Sequence, residues 1–153
     1  VLCDTGILHN SGDVHKDQKE SMKSKKISKL VKENVQLTYT IRNHLLRGRL
    51  SDFGIELNRA WQLKKKFSNS ISSPEIDKIY QGALDNGASG GKLLGAGGGG
   101  YFIFHVFPFE KHRLCNYLAS EGLMVKNFRF ESNGVQSWAV RDKNLNRSIW
   151  DKI

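Results

Sequence analysis

The stretch Gly90–Gly100 reads Gly-Gly-Lys-Leu-Leu-Gly-Ala-Gly-Gly-Gly-Gly, and the run Tyr101–Phe107 follows it directly. The run is nearly all apolar, so it predicts a strand that is buried on both faces. Ordered glycine costs backbone entropy, and four consecutive glycines before a strand therefore require a reason. Without a Cβ the backbone can approach an anion closely, and successive N–H groups can point at it. The stretch predicts either a phosphate-facing loop or a flexible tight turn between Leu94 and Tyr101.

Two well-known phosphate-binding motifs can be tested against this stretch. A P-loop requires Gly-x-x-x-x-Gly-Lys followed by Ser or Thr, but here the first glycine position holds Asn and Leu93 follows Lys92. The dinucleotide pattern Gly-x-Gly-x-x-Gly is matched by Gly95, Gly97 and Gly100. That pattern must follow a strand and open a helix, whereas here a strand comes after it. Neither motif therefore explains the glycines.

The rest of the chain predicts helices around a few strands. Val1–Ile7 predicts a short strand and His9–Asp13 a polar turn. Helices are predicted by apolar spacing and by capping residues: from about Val14, from Ile27 to Gly48, from a cap at Ser51 or Asp52, from Pro74 with Ser73 as cap to Asn86, and over Glu110–Ser120. Alternation and a Ser-Asn-Gly turn predict a hairpin of Val125–Glu131 with Val135–Val140, before a polar tail 141–153 with Trp150 as a possible anchor. This order predicts an α+β fold with helices on one face of an antiparallel sheet.

Composition narrows the classes of protein and site. The 153 residues suit one domain, and no segment approaches a membrane span or resembles a signal peptide, which indicates a cytoplasmic protein. Cys3 and Cys115 are far apart, and neither they nor the five histidines have metal-ligand spacing. The net charge is +9, which is compatible with a polyanionic partner. A solvated helix face explains the lysines between Lys16 and Lys32 better, because no nucleic-acid motif accompanies them.

A family resemblance gives the glycines a reason. The run from Lys92 through Gly100, followed by an apolar strand, resembles the third motif of the GHMP kinases, which include galactokinase and mevalonate kinase. The likeness covers roughly Val1 to Trp138. It is similar in order and spacing to the bacterial D-glycero-D-manno-heptose 7-phosphate kinase branch, on these segments: Thr5-Gly6-Ile7-x-His9-x-Ser11, Ala60-Trp61-x-Leu63-Lys64-Lys65, Ile71-Ser72, Pro74-Glu75-Ile76-Asp77 and Ala83 with Gly87-Ala88-x-Gly90-Gly91-Lys92.

The resemblance implies a ferredoxin-like GHMP kinase C-terminal domain that serves an ATP-dependent sugar kinase, with a sugar phosphate such as D-glycero-D-manno-heptose 7-phosphate as acceptor. It implies that the loop lies near the ATP phosphates, with Lys92 supporting it; the loop residues are Lys92, Gly95, Ala96, Gly97, Gly98, Gly99 and Gly100. It further implies a substrate-facing set of His9, Asn10, Ser11, Lys64 and Lys65, although a solvated helix face stays open for at least one of the two lysines.

The resemblance also implies that part of the kinase lies elsewhere. Its second motif, Gly-Leu-Gly-Ser-Ser, is not found in the 153 residues, and the family's Mg²⁺ ligands and catalytic base belong to that N-terminal nucleotide-binding domain. We therefore expect 1–153 to be the C-terminal domain, with 1–13 as its entry strand and turn, and to contain no catalytic or metal-binding residue. We expect it to be inactive alone and to pair with an N-terminal domain or with itself. A non-catalytic module that binds a phosphate ligand is the alternative.

Overall fold

The computed structural model describes residues 1–138 and contains five helices and four strands there. In chain order they are β1 (Leu2–Asp4), α1 (Ser11–Ser21), α2 (Lys25–Leu46), α3 (Leu50–Lys65), α4 (Pro74–Asp85), β2 (Ala88–Leu93), β3 (Tyr101–Val106), α5 (Lys111–Ser120) and β4 (Met124–Lys126).

The four strands form one antiparallel sheet in the order β2-β3-β1-β4. With helices between β1 and β2 and between β3 and β4, this is the ferredoxin-like arrangement that the family resemblance implied. The central strand β3 pairs with β1 through Cys3 opposite Phe102 and with β2 through Leu93 opposite Phe102. The glycine-rich segment therefore connects two neighbouring strands at one end of the sheet.

One face of the sheet packs on α3, α4 and α5. Phe102 and Phe104 point into this core, where the Phe102 ring meets Trp61 edge-on at 5.8 Å and lies 5.7 Å from the ring of Tyr80. Leu114 of α5 is fully buried in the same cluster. Buried side chains of this size each stabilise the fold by about 1.5–3 kcal/mol, so these helices are held on one face, as predicted.

Several helix boundaries are those that the capping residues predict. α4 starts at Pro74, and the Ser73 hydroxyl accepts a hydrogen bond from the Ile76 amide at 3.2 Å. This bond satisfies one of the free amides at the start of the helix. Near the end of α2, Gly48 adopts a positive φ of 69°, a conformation that favours glycine. The stop at Gly48 and the cap at Ser73 are confirmed.

Two helix starts were predicted wrongly. α1 begins at Ser11, because the side chain of Asn10 caps it by accepting from the Gly12 amide at 3.0 Å, so the polar turn ends sooner than predicted. α3 begins at Leu50 after Arg49, and no side chain caps it. Ser51 and Asp52 lie inside the first turn, where Asp52 pairs with the Arg49 guanidinium instead at 2.6 Å.

The strand predictions also need correction. Ala88–Leu93 forms β2 although its glycines disfavour a strand. β3 is buried on one face only, since Tyr101 is 40% exposed and Ile103 and His105 are partly exposed. The predicted hairpin is wrong for the described residues: only Met124–Lys126 is a strand there, and this strand, β4, forms an edge of the sheet by pairing with the inner strand β1. Residues 139–153, with the end of that hairpin, the polar tail and Trp150, lie outside the described residues.

Glycine explains how β2 lies so close to α3. A Cβ on Gly90 would overlap the carbonyl oxygen of Gly54, and a Cβ on Gly54 would meet the imidazole Nδ1 of His105 at 2.7 Å. Two glycines facing each other thus let helix and strand backbones pass in contact. Because α3 carries Lys64, this contact also sets the distance between that lysine and the end of β2.

The long helix α2 has two different apolar sides. Leu37 is buried in a small cluster with Ala60 and Leu63 of α3. An outer stripe, defined as Val35, Tyr39 and Leu46, is 49%, 60% and 68% exposed. Positions separated by four and seven residues share one side of a helix, so the three residues of the outer stripe lie on the same side of α2, which faces away from α3.

Candidate functional site

The glycine loop, residues 94–100, connects β2 to β3. It closes with a hydrogen bond from the Leu94 amide to the Tyr101 carbonyl at 2.8 Å. Gly95, Gly97, Gly98 and Gly100 all have positive φ, from 67° to 118°. Residues with a Cβ adopt this conformation only at a cost of about 1–2 kcal/mol each. The backbone path of the loop therefore requires glycine at these four positions.

Three other segments hold the loop in place. The Gly98 amide donates to the Ile71 carbonyl at 2.9 Å, and the Gly100 carbonyl accepts from both the amide and the hydroxyl of Thr5 at 2.8 Å. The side-chain amide of Gln18 on α1 donates to the Ala96 carbonyl at 2.7 Å. The loop is thus a fixed part of the fold, and the predicted flexible turn is not what the structure shows.

Some backbone donors of the loop have no partner. Within residues 1–138, no acceptor is found for the N–H groups of Gly95, Ala96 and Gly97, although Ala96 and Gly97 are buried residues. Buried amides are nearly always hydrogen-bonded. Three consecutive unpaired amides between positive-φ glycines resemble a backbone nest, which suits an anionic oxygen.

Two lysines lie beside this end of the loop. Lys64, in the last turn of α3, donates from its Nζ to the Gly95 carbonyl at 2.5 Å. Lys92 lies near the end of β2, opposite Ile103 of β3. Burial, and then the charge of Lys92, lower the pKa of Lys64 to about 8, and burial lowers the pKa of Lys92. The structure thus brings together Lys64, Lys92 and the loop.

Lys65 is not brought to the loop. Its Nζ is 2.9 Å from the Asp77 carboxylate of α4 and 5.9 Å from the centre of the Trp61 ring. The Ser72 hydroxyl donates to the same carboxylate at 2.9 Å. Lys65 therefore links α3 to α4, and its predicted contact with substrate stays a prediction without support from this geometry.

His9, Asn10 and Ser11 lie at the start of α1. The His9 ring is close to the backbone of the loop, since a Cβ on Gly99 would be 2.9 Å from its Nδ1. Its Nε2 is 3.2 Å from the Ser11 hydroxyl. Asn10 uses its side chain to cap the helix. His9 and Ser11 are thus exposed polar groups next to Gly99, while Asn10 has a structural partner.

No sequence pattern indicated the residues that fix α1 to the loop. Gln18 reaches Ala96, and Asp17 accepts hydrogen bonds from the hydroxyls of Ser68 and Ser70, the latter at 2.8 Å. These hydrogen bonds, that of Ser68 first, lower the pKa of Asp17. Both residues come from a polar, lysine-rich helix with only one buried side chain, Val14. No spacing in such a helix distinguishes them from solvated neighbours.

The lysines between Lys16 and Lys32 are all exposed, in line with a solvated helix face. Among residues 1–138, no group of three or more His, Cys, Asp or Glu side chains could hold a metal ion. These residues therefore supply no cluster of acidic ligands for the Mg²⁺ that the resemblance implies. In the same part of the chain, no helix is both long enough and apolar enough to span a membrane.

The fold and the loop together define a C-terminal kinase domain of the α+β type. Residues 41–116 match the family model described as GHMP kinases C terminal. The chain therefore belongs to the GHMP kinases, as the sequence predicted.

Individual relatives agree with this assignment. The chain is 32% identical over 140 residues to the D-glycero-alpha-D-manno-heptose 7-phosphate kinase of Campylobacter jejuni, over 92% of this chain and 41% of that protein. A putative sugar kinase structure from the same organism is 36% identical, with a TM-score of 0.52, over 69% of this chain and 32% of that one. The chain thus spans about two fifths of the length of the curated relative.

More distant structures share the fold alone. The L. major mevalonate kinase in complex with R-mevalonate has a TM-score of 0.72 at 22% identity, over 78% of this chain and 37% of that one. A Streptococcus pneumoniae phosphomevalonate kinase in complex with phosphomevalonate and AMPPNP has a TM-score of 0.66 at 20% identity, over 81% of this chain and 36% of that one.

Proposed function

We propose that this chain is the C-terminal half of an ATP-dependent small-molecule kinase whose acceptor is a sugar phosphate such as D-glycero-D-manno-heptose 7-phosphate. The observation that carries the proposal is the row of three amides, Gly95 to Gly97, that have no acceptor among residues 1–138 and lie in a fixed loop beside Lys64 and Lys92. The acceptor is suggested by the similarity of the chain to the D-glycero-alpha-D-manno-heptose 7-phosphate kinase of Campylobacter jejuni. A cytoplasmic location remains a prediction.

The arrangement suits the positioning part of phosphoryl transfer. Such transfer depends on holding the phosphates in line and stabilising their negative charge. The loop amides are already fixed by Ile71, Thr5 and Gln18, so they need no rearrangement to meet an anion. In our proposal these amides face the ATP phosphates, while His9 and Ser11 lie on the acceptor side. ATP supplies the transferred phosphoryl group.

The remaining chemistry is assigned to another part of the kinase. The described residues present no acidic cluster for Mg²⁺, and Asp17, near the loop, is already bound by Ser68 and Ser70. We therefore propose that an N-terminal domain holds Mg²⁺ and any catalytic base, and that this chain alone does not transfer phosphate.

A hybrid enzyme tests the proposal. The chain replaces the matching C-terminal part of the Campylobacter jejuni heptose kinase, and ATP-dependent phosphorylation of the heptose 7-phosphate is measured, with the parent kinase as the positive control. We expect turnover by the hybrid and none by the chain alone. A folded hybrid that binds phosphate but transfers none would favour the non-catalytic module instead. Turnover by the chain alone would contradict the proposal that Mg²⁺ and any catalytic base belong to an N-terminal domain.

A further inference from the structure

Lys64 and Lys92 differ from Lys65, another half-buried lysine, in the groups that neutralise their charge. Lys65 has the Asp77 carboxylate at 2.9 Å. Among residues 1–138, Lys64 contacts only a carbonyl oxygen, that of Gly95, and Lys92 has no hydrogen-bond or ion-pair partner. Both ammonium groups are partly removed from water, and a buried charge without a counter-charge is costly.

The neighbouring elements offer no carboxylate to this pair. On α4, Asp77 is occupied by Lys65 and Ser72. On α1, Asp17 is occupied by Ser68 and Ser70, and Gln18 is neutral. Among the described residues, Lys92 is the one charged group that acts on Lys64, and its charge has the same sign. The charge that this corner of the fold lacks is therefore negative, and it must come from outside the described residues.

We propose that Lys64 and Lys92 form a subsite for the phosphate group that the acceptor already carries, so that the kinase selects phosphomonoesters over free sugars. This inference rests on the proposed function. A phosphomonoester carries a charge near −2 at pH 7, which matches two lysines, and lysine binds phosphate as a compact point charge. The amides of Gly95 to Gly97 remain for the nucleotide, so Lys92 acts as a specificity residue for the acceptor as well as supporting the loop.

The same arrangement links acceptor binding to a proton. With a pKa of about 8, Lys64 is about half neutral at pH 8 and fully charged at pH 6. A bound dianion favours the charged form and raises that pKa. Binding at pH 8 therefore takes up a fraction of a proton, and affinity for the phosphomonoester falls as the pH rises above 8. At pH 6 no proton is taken up by this group.

The subsite is tested by titrating the full chain with D-ribose 5-phosphate, D-ribose and AMPPNP, followed by amide chemical shifts and calorimetry. We expect binding of the sugar phosphate but not of ribose. Lys64→Gln and Lys92→Gln should each weaken sugar-phosphate binding roughly tenfold or more, and Lys64→Arg should restore part of it. Lys66→Gln removes the same charge from an exposed position directly after the same helix and should change affinity less than about twofold. Melting curves verify that each variant is folded.

The outcomes separate the possible sources of the phosphate. If Lys64→Gln and Lys92→Gln weaken AMPPNP alone, the pair serves the nucleotide and the inference is overturned. It is also overturned if Lys66→Gln weakens sugar-phosphate binding as much as they do. If the hybrid enzyme turns over while these variants keep full sugar-phosphate affinity, the subsite fails and the proposed function stands. If the hybrid is inactive but the variants lose sugar-phosphate binding, the subsite stands and the proposed function fails.

Discussion

Gly90→Ala tests whether close contact between α3 and β2 builds the site. Gly90 is not a positive-φ residue, so alanine brings no backbone strain there and acts only through its methyl group. That methyl would lie 2.9 Å from the carbonyl carbon of Gly54, would overlap the oxygen, and would lie 3.1 Å from the Asn58 amide nitrogen. Ordinary contact begins at 3.4 Å, so the carbon alone requires 0.5 Å of separation and the oxygen requires more.

The Gly54 carbonyl and the Asn58 amide are backbone groups of α3, so neither can move aside as a side chain could. Inserting a methyl group into such a contact costs about 1–3 kcal/mol of folding free energy, and we expect the upper end, about 3 kcal/mol. Urea denaturation measures the loss, which is large against a total of about 5–15 kcal/mol for an ordinary domain. Because α3 carries Lys64, sugar-phosphate affinity should also fall in the variant that remains folded.

Gly95→Ala is the matched control for this experiment. Gly95 has a φ of 67°, and a Cβ there would meet no atom within 4 Å. Its cost is the strain of a left-handed residue alone, about 1–2 kcal/mol. A loss below about 1 kcal/mol for Gly90→Ala, or a smaller loss than for Gly95→Ala, would refute the view that backbone contact fixes α3 on β2.

Further predictions concern α1, the outer stripe and the two thiols. The folded-state pKa of Asp17 is lowered, so its contribution to stability is present above the unfolded pKa of about 3.9 and is lost as the pH falls through the folded value. Asp17→Asn should therefore lower the melting temperature at pH 7, and that difference should shrink in acid; a difference that persists unchanged in acid would contradict this. The outer stripe should drive self-association, which sedimentation would detect and Tyr39→Lys would weaken; a strictly monomeric chain at high concentration would exclude it. Burial first, then Asp4, raises the pKa of Cys3 to about 11, so iodoacetamide at pH 8 should modify the partly exposed Cys115 well before Cys3; equal rates would contradict the buried position.

How much of the fold the sequence predicts depends on whether the signal is local. The Ser73 cap with Pro74, the stop at Gly48 and the apolar β3 were all predictable, because each depends on residues adjacent in sequence. β2 was missed because its glycines are unfavourable in an isolated strand, and their reason is a contact with Gly54, 36 positions away in sequence (90 − 54). β4 was predicted to pair within a hairpin because alternation shows that a segment can pair, without showing with which strand.

In the site, too, features with a local sequence signal were predictable and features that depend on packing were not. The glycine loop was found through its resemblance to a family motif, and the structure adds that its conformation requires the glycines. The proximity of Lys64 to Lys92 could not be predicted, because it depends on where α3 ends relative to β2. The occupation of Lys65 by Asp77 likewise depends on how α4 packs, and adjacent lysines with identical chemistry are indistinguishable until that packing is known.

The most direct test of the central claim is a crystal structure of the hybrid kinase with AMPPNP and the heptose 7-phosphate. We predict that phosphate oxygens of the nucleotide lie within hydrogen-bonding distance, about 2.7–3.2 Å, of the amides of Gly95, Ala96 and Gly97. Nucleotide phosphates bound without contact to any residue of the glycine loop would contradict the claim.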